Sequence, residues 1–398
     1  MPSTAQVPRR IDDLATYALL WCAGLYLRLT LLVAPPLANH IGDALNLSQT
    51  GIGALTTVPL LMLSLAAVAG AFLITRIGAR RTVIVALLLI LAGSSFRGAA
   101  TSPWFLFVAT GVMGLGIAAL QPALPSLLTR WCPDRIALGT AIYMNGMLMG
   151  EVLSAGLTLP LVMPLTGENW RLALLAWSLP ASLVALGFYL RGDTTAAPAP
   201  PVVAHWMPAW RSPVVWQLGL LLGATAGLFF GTNAYMGSVL RARNEAELLA
   251  TGLLLFNSAQ LAASLFMLRQ ARRWVGRTTP MLAMLAASAT ALLLFLLLDG
   301  LAALIAATAL SFASGVLLIL LVSLPPMIAS GGRTASLSAG MFTVGYAVSF
   351  LVPLAGGRLA DASGLASGAL LPLLVYTLLV IPVCVRLGAT LEGAGRHR

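Results

Sequence analysis

The chain contains no lysine; all 23 basic residues among its 398 positions are arginine. Charge of either sign is scarce, at 9% of residues, where soluble domains carry roughly 25%. That scarcity leaves little chain for a soluble domain. Histidine occurs three times, at His40, His205 and His397, never inside a long apolar run. This argues against metal transport and against a histidine proton relay. Cys22, Cys132 and Cys384 show neither metal-ligand spacing nor a disulfide framework. Gly111, Gly114 and Gly116 lie in an apolar run with no preceding strand and no following Lys-Ser/Thr, so they are not a phosphate loop. Nucleotide-driven transport, enzymatic catalysis and a bound cofactor are therefore not expected. The net charge of +11 is not a nucleic-acid signal either, because no basic tail or aromatic-interleaved basic patch accompanies it. The first 16 residues hold Arg9-Arg10 and Asp12-Asp13 ahead of the first apolar run. No short apolar region with a small-residue cleavage site is visible there, so no cleaved signal peptide is expected.

Apolar residues are abundant: 59% of the chain is hydrophobic and the mean hydropathy is +0.93. A helix needs about 20 apolar residues to cross a bilayer. Runs separated by Gly, Pro or charge predict spans at 14–34, 49–73, 82–98, 104–128, 138–163, 170–190, 212–236, 247–269, 279–298, 301–328, 336–355 and 367–388. The reading is an all-α integral membrane protein with twelve transmembrane helices. If the N-terminus is inside, seventeen arginines fall on the inner side and five (Arg97, Arg171, Arg241, Arg243, Arg358) on the outer. This positive-inside bias places both termini in the cytoplasm and the protein in the plasma (inner) membrane. Trp21, Trp104, Trp170, Trp177, Trp210 and Trp216 fall mostly near span ends, as interfacial anchors do.

The halves repeat. Arg76-Ile-Gly78-Ala-Arg80 follows span 2 and Arg273-Trp-Val-Gly276-Arg277 follows span 8, with the glycines 198 positions apart. Leu124-Pro125 and Leu324-Pro325 end spans 4 and 10 at a similar offset. Between the halves, residues 191–211 include the Pro-rich Ala196–Pro201 stretch, an extended spacer by composition. The expected division is a six-helix bundle over 1–190, a cytoplasmic linker over 191–211 and a second bundle over 212–398, an architecture of parallel repeats.

Two ionisable residues lie deep in spans. Arg28 is about 14 residues into span 1. A charge at mid-bilayer costs at least ~2.5–3.5 kcal/mol on insertion scales, so it must face a cavity, a partner or a ligand. Its planar fork of donors suits a small anion; a structural ion pair is the alternative. Glu151 is about 13 residues into span 5 and is the one acid well inside a span. It is a candidate proton-coupling site, with a permanent pair to Arg28 or a site facing elsewhere as the alternatives. Gly146, Gly150 and Gly156 around it have the small-residue spacing of close helix packing. Arg97, at the outer end of span 3, is expected to snorkel to the interface. Arg358 and Asp361 are expected just outside span 11, as an exposed pair or gate element. Gln121, Tyr143, Asn145, Asn257, Gln260 and Tyr346 are further polar groups within spans.

The loop Ala71-Phe-Leu-Ile-Thr75-Arg76-Ile-Gly78-Ala-Arg80-Arg81 resembles that of the major facilitator superfamily, in which Gly-x-x-x-Asp-Arg-x-Gly-Arg-Arg is typical. Thr75 and Ala71 stand where the acid and the first Gly are usual, which puts the ionic latch attributed to that acid in doubt. Within the superfamily the chain is similar to the cyanate/2-nitroimidazole permease branch. The likeness rests on Arg28, on Leu124–Pro133, on Glu168-Asn-Trp170-Arg171, and on Gly345-Tyr346 through Pro353, Gly357, Asp361 and Gly364. Tyr26 and Leu29 stand where Asn and Pro are expected around the arginine, and Met236–Leu240 lacks the expected Trp-Leu-Pro. The resemblance implies alternating access between two bundles, with spans 1 and 7 facing the pathway. Tyr26, Asn233 and Tyr235 then join Arg28 as expected substrate contacts, and Arg76, Gly78, Arg80, Arg273, Gly276 and Arg277 form the gating loops. The expected function is secondary transport of a small anionic solute by a monomer in a lipid bilayer, with proton coupling as an added expectation. An efflux pump for a neutral or cationic drug-like compound and a non-transport membrane sensor are the alternatives.

Overall fold

The computed structural model describes residues 9–192, 210–329 and 332–395. Within them the chain is helical and forms no strand. Bilayer-crossing helices satisfy their own backbone groups, which is what an apolar medium demands. Twelve segments result: α1 (Leu14–Leu45), α2 (Gln49–Ile77), α3 (Ala79–Gly98), α4 (Pro103–Trp131), α5 (Pro133–Leu165), α6 (Trp170–Arg191), α7 (Pro213–Ala242), α8 (Ala246–Trp274), α9 (Thr278–Leu297), α10 (Gly300–Ile328), α11 (Gly332–Ser363) and α12 (Ala366–Ala389). Eleven are long and apolar enough to cross a bilayer by their described residues, and α2, at 29 residues, is the twelfth. Large apolar side chains such as Trp104, Leu183, Leu190 and Leu268 are exposed on the outside, a surface that only lipid or another apolar phase covers favourably.

Local chemistry sets the ends. Ser48 and Ser102 accept hydrogen bonds from Gly51 and Phe105 at the starts of α2 and α4, and Asn169 does so at the start of α6. Gly78 and Gly276 turn the chain after α2 and α8 with φ of +84° and +82°. That left-handed conformation suits glycine, and its recurrence at the same offset shows the repeat in three dimensions. The linker expectation falls mostly on 193–209, outside the described residues.

Two expected boundaries move. Span 1 does not stop at residue 34; helix resumes at Ala34 and runs to Leu45, with Pro35 and Pro36 in the first turn of the new segment. Prolines fit there because first-turn N–H groups have no helical acceptor. The Pro-Pro pair marks a restart, not an end. Likewise α11 runs to Ser363, so Arg358 and Asp361 sit on its last turns, not beyond it.

α1–α6 pack together, as do α7–α12, and the halves meet chiefly through α2 against α11 and α5 against α8. Inside the first bundle α1 and α5 touch through backbone. A Cβ added at Gly146 would overlap the Trp21 carbonyl, one at Gly150 the Leu25 carbonyl, and one at Gly24 the Tyr143 carbonyl. This is small-residue packing, in which glycine lets backbones approach. Gly146→Leu or Gly150→Leu is expected to cost about 1–3 kcal/mol of stability by overpacking. Gly111→Ala, where a Cβ meets nothing within 4 Å, should be neutral or slightly stabilising. Thermal unfolding of the three variants in detergent checks this, and equal melting temperatures would refute the packing account.

Candidate substrate-binding site

α1 is interrupted at mid-depth. Tyr26, Leu27 and Arg28 form a turn in which each N–H reaches three residues back, with Arg28 N to Leu25 O at 3.1 Å. Helix resumes over Leu29–Leu32, and Arg28 stands before it at φ −133° and ψ −30°. The break takes Arg28 out of the helical ladder and turns it toward the centre of the protein. There its Nε lies 3.3 Å from Glu151 Oε1, and its guanidinium carbon sits 4.7 Å from the centroid of Phe230 on α7. A cation–ring contact of this kind is worth ~0.5–2 kcal/mol, rising as it is desolvated.

The Arg28–Glu151 pair is incompletely satisfied. Arg28 Nε and Glu151 Oε2 are buried without a hydrogen bond, so the charges meet at one corner and do not form a two-pronged fork. Two adjoining cavities, of about 60 and 440 Å³, share Arg28, Met147, Leu148, Gln260, Leu318 and Tyr346 in their walls. The smaller is closed in by Phe229, Phe230 and Leu222 and includes Glu151. The larger extends past Gln121, Pro125 and Tyr143 to Ser323 and Phe342, toward the end of the molecule that carries the Arg76–Arg81 and Arg273–Arg277 loops. Its uncharged polar wall residues are Gln121, Tyr143, Gln260, Ser264, Ser323 and Tyr346; Gln260 is held by Ser311 O at 3.0 Å.

The opposite end is bridged between the bundles. Arg241 on α7 meets both carboxylate oxygens of Asp43 on α1 at 2.9 and 2.8 Å, and Asn39 donates to Gly237 O at 3.2 Å. Asp361 on α11 accepts from Gln49 N at 2.6 Å, Thr50 N at 3.0 Å and Thr50 Oγ1 at 2.5 Å at the start of α2. Asp361 is thus a cap for a helix of the other bundle, where favourable charge–dipole and charge-assisted hydrogen bonding combine. Both α1–α7 pairs are separated by 198 residues, the offset of the internal repeat. At these two places residues 198 apart meet across the two halves, and that offset was the signal in the sequence that could have found them.

The other expected site residues are elsewhere. Tyr26 is buried and its hydroxyl reaches Trp177 O at 3.3 Å. Asn233 is buried against Asn257, which donates to it at 2.9 Å. Tyr235 is buried between α2, α7 and α11, donating to Pro353 O at 2.8 Å and close to Gly53 and Gly357. None of the three lines either cavity. In the loops, Arg76 lies over Phe72 at 5.0 Å, and Arg80 donates to Phe188 O and Tyr189 O of α6 at 3.1 Å, an attachment within its own bundle. Arg273 and Arg277 are exposed. Arg97 departs from expectation: it is fully buried, not snorkelling, and donates to Thr30 O at 2.8 Å and to Met113 Sδ at 3.2 Å. Its Nε and Nη2 lack hydrogen-bond partners. α3 packs so closely on α4 at Gly93 that the side chain lies between helices and not along the lipid face.

Residues 19–353 match the family model of the Major Facilitator Superfamily. The chain belongs to this superfamily. It is 33% identical over 224 residues to the 2-nitroimidazole transporter of Escherichia coli (strain K12), covering 56% of each chain. It is 26% identical over 262 residues to the cyanate transport protein CynX of the same organism, covering 66% of this chain and 68% of that one. An uncharacterized transporter of Bacillus subtilis (strain 168), YycB, matches at 28% over 208 residues, 52% of this chain and 51% of that one. The chain thus spans about half the length of the 2-nitroimidazole transporter and of YycB. Among solved structures, a bacterial homologue of the human lysosomal transporter Spinster, in an inward-facing and unoccupied conformation, aligns with TM-score 0.70 at 18% identity over 98% of both chains. A D-xylose–proton symporter aligns with TM-score 0.74 at 12% identity over 94% of this chain and 97% of that one. At these identities the structural likeness speaks for the fold.

If Asp361 closes its end of the molecule, Asp361→Ala should weaken that closure by about 1–2 kcal/mol, a shift of roughly 5–30-fold in population. Spin labels at the exposed positions Ala44 and Glu247, one on each bundle at that end, should then show a longer-distance population. A distance distribution identical to that of the parent protein would show that Asp361 does not hold this end shut.

Proposed function

We propose that the protein is a secondary active transporter of a small anion, working by alternating access of two bundles, 1–190 and 212–398, joined by the linker 191–211. The observation that carries this reading is Arg28 at a mid-depth helix break, lining a central cavity and contacted by one buried carboxylate. With the arginine-rich end in the cytoplasm, as the positive-inside bias favours, the cavity reaches inward and the Asp43–Arg241 and Asp361–Thr50 bridges close the outside. Both termini are then cytoplasmic and the protein resides in the plasma (inner) membrane as a monomer.

Glu151 gives the reading a proton. A second anion brought to Arg28 beside an ionised Glu151 would place two negative charges in one dry site, which favours protonation of one of them. Substrate displaces Glu151 from Arg28, Glu151 takes up the proton, and both cross together. Two matched relatives are named for 2-nitroimidazole and cyanate, which supports a compact solute. A second reading, export of a neutral or cationic drug-like compound with Glu151 as its counter-ion, draws on the aromatic wall formed by Phe342 and Tyr346, stacked at 5.8 Å.

Uptake of radiolabelled cyanate and benzoate into proteoliposomes separates the two. Arg28→Ala should lower anion uptake about 10–100-fold, as expected for a lost charged hydrogen-bonding partner, and Arg28→Lys should recover little, since a point charge does not reproduce the fork. Glu151→Gln should keep counterflow exchange but lose accumulation driven by a pH gradient. Normal uptake by a folded Arg28→Ala protein would overturn the anion reading. Loss of lipophilic-cation efflux in Glu151→Gln, with anion uptake absent from the parent, would favour the second.

A further inference from the structure

Among the described residues, the walls of the two cavities contain a single cation and a single acid. α1 contributes Arg28 and α5 contributes Glu151; the wall positions of α4, α7, α8, α10 and α11 are uncharged. The other titratable groups facing the pair's cavities are Tyr143 of α5 and Tyr346 of α11. At the repeat offset of 198 the counterparts of Arg28 and Glu151 are Ala226 and Ser349, so the second bundle does not duplicate the pair. Among the described residues, Arg97 is the first bundle's fully buried arginine. It sits against the Thr30 carbonyl and lines neither cavity, so its charge is a constant of the bundle.

We propose that transport is electroneutral, one monovalent anion moving with one proton, and that divalent anions are excluded. This rests on the anion–proton reading above and adds the charge of the substrate and the stoichiometry. The empty site holds Arg28⁺ and Glu151⁻ and is neutral. When an anion X⁻ enters and a proton from solution binds Glu151, the site holds Arg28⁺, X⁻ and neutral Glu151, and is again neutral. On the far side X⁻ and the proton leave and the ion pair re-forms. Neither form carries uncompensated charge through the low-dielectric centre, where an unpaired ion costs several kcal/mol. A dianion would leave one negative charge that no described wall residue can match. Phe229, Phe230 and Leu222 close the space beside the pair, which limits the anion's body to a compact one.

The test uses the full-length protein in proteoliposomes. Counterflow of labelled cyanate or benzoate comes first, because it reports anion exchange whatever the coupling. Net uptake is then measured under a one-unit pH gradient at zero potential, and separately under a 100 mV potassium diffusion potential set with valinomycin at equal pH. One proton per anion predicts accumulation of up to about 10-fold per pH unit and no response to the potential. A net charge of one would instead change accumulation roughly 50-fold per 100 mV. Labelled sulfate and succinate should show no counterflow. In Glu151→Gln the empty carrier is positive and the loaded one neutral, so net uptake, though slow, should become potential-sensitive while exchange persists; a merely structural role for Glu151 would not produce that change. Potential-driven accumulation by the parent protein, or sulfate or succinate exchange as fast as that of cyanate and benzoate, overturns the electroneutral assignment and leaves anion transport standing. Absence of counterflow for every monovalent probe overturns the anion reading itself.

Discussion

A buried charge is tolerated only when something nearby answers it, and Arg28 is answered twice. Glu151 stands 3.3 Å from its Nε, and Phe230 presents a ring face at 4.7 Å. Breaking a buried pair by removing one partner typically costs 3–5 kcal/mol, so the pair constrains everything around it. α1 and α5 must approach closely enough for the two side chains to meet, which is why Gly24, Gly146 and Gly150 lie where a Cβ would overlap the opposing backbone. α1 must also break where Arg28 leaves it, since a continuous helix would hold the residue in a regular register. Glycine packing, the helix break and the ion pair are one construction.

The same construction explains how an ion pair can be a site and not merely a brace. A fork-to-carboxylate contact with every oxygen and nitrogen satisfied would have little reason to open. Here Glu151 Oε2 and Arg28 Nε lack hydrogen bonds, and a cavity adjoins them. On the proposed reading, the pair is close enough to neutralise and loose enough to exchange its acid for a solute. At the far end the bundles are joined by contacts of a different kind, partly exposed and electrostatic: Asp43 with Arg241 and Asp361 with the start of α2. Such contacts are individually weak, which on the proposed reading lets this end open and re-form.

Much of this was legible in the sequence. Twelve apolar runs and the 198-residue repeat point to the architecture, because the bilayer leaves helix as the practical form for such runs. Arg28 and Glu151 were legible because charges inside apolar runs are rare. What was not legible depends on neighbours distant in sequence. Arg97 looked like a residue free to reach the interface, but the packing of α3 on α4 encloses it. Tyr26, Asn233 and Tyr235 looked like pathway residues because of the helices they occupy, and their side chains instead tie helices together. Helix membership fixes a face only to within a turn, and α1 is broken at Tyr26 itself. The expected span stops at residue 34, just before Pro35-Pro36, where a proline pair in a first turn cannot be told from one that ends a helix by sequence alone. Asp361 is expected just outside span 11 because the apolar run before it fades, although the helix continues to Ser363.

The exchange of Glu151 for a substrate anion at Arg28 is the claim on which the account stands. Calorimetric titration of the purified protein with cyanate, in two buffers of different ionisation enthalpy, counts the protons taken up on binding. The account predicts about one proton taken up per anion bound, falling to none in Glu151→Gln with binding retained, because a buried site cannot hold two unmatched negative charges. Binding with no proton uptake in the parent protein, or uptake that persists in Glu151→Gln, would contradict it.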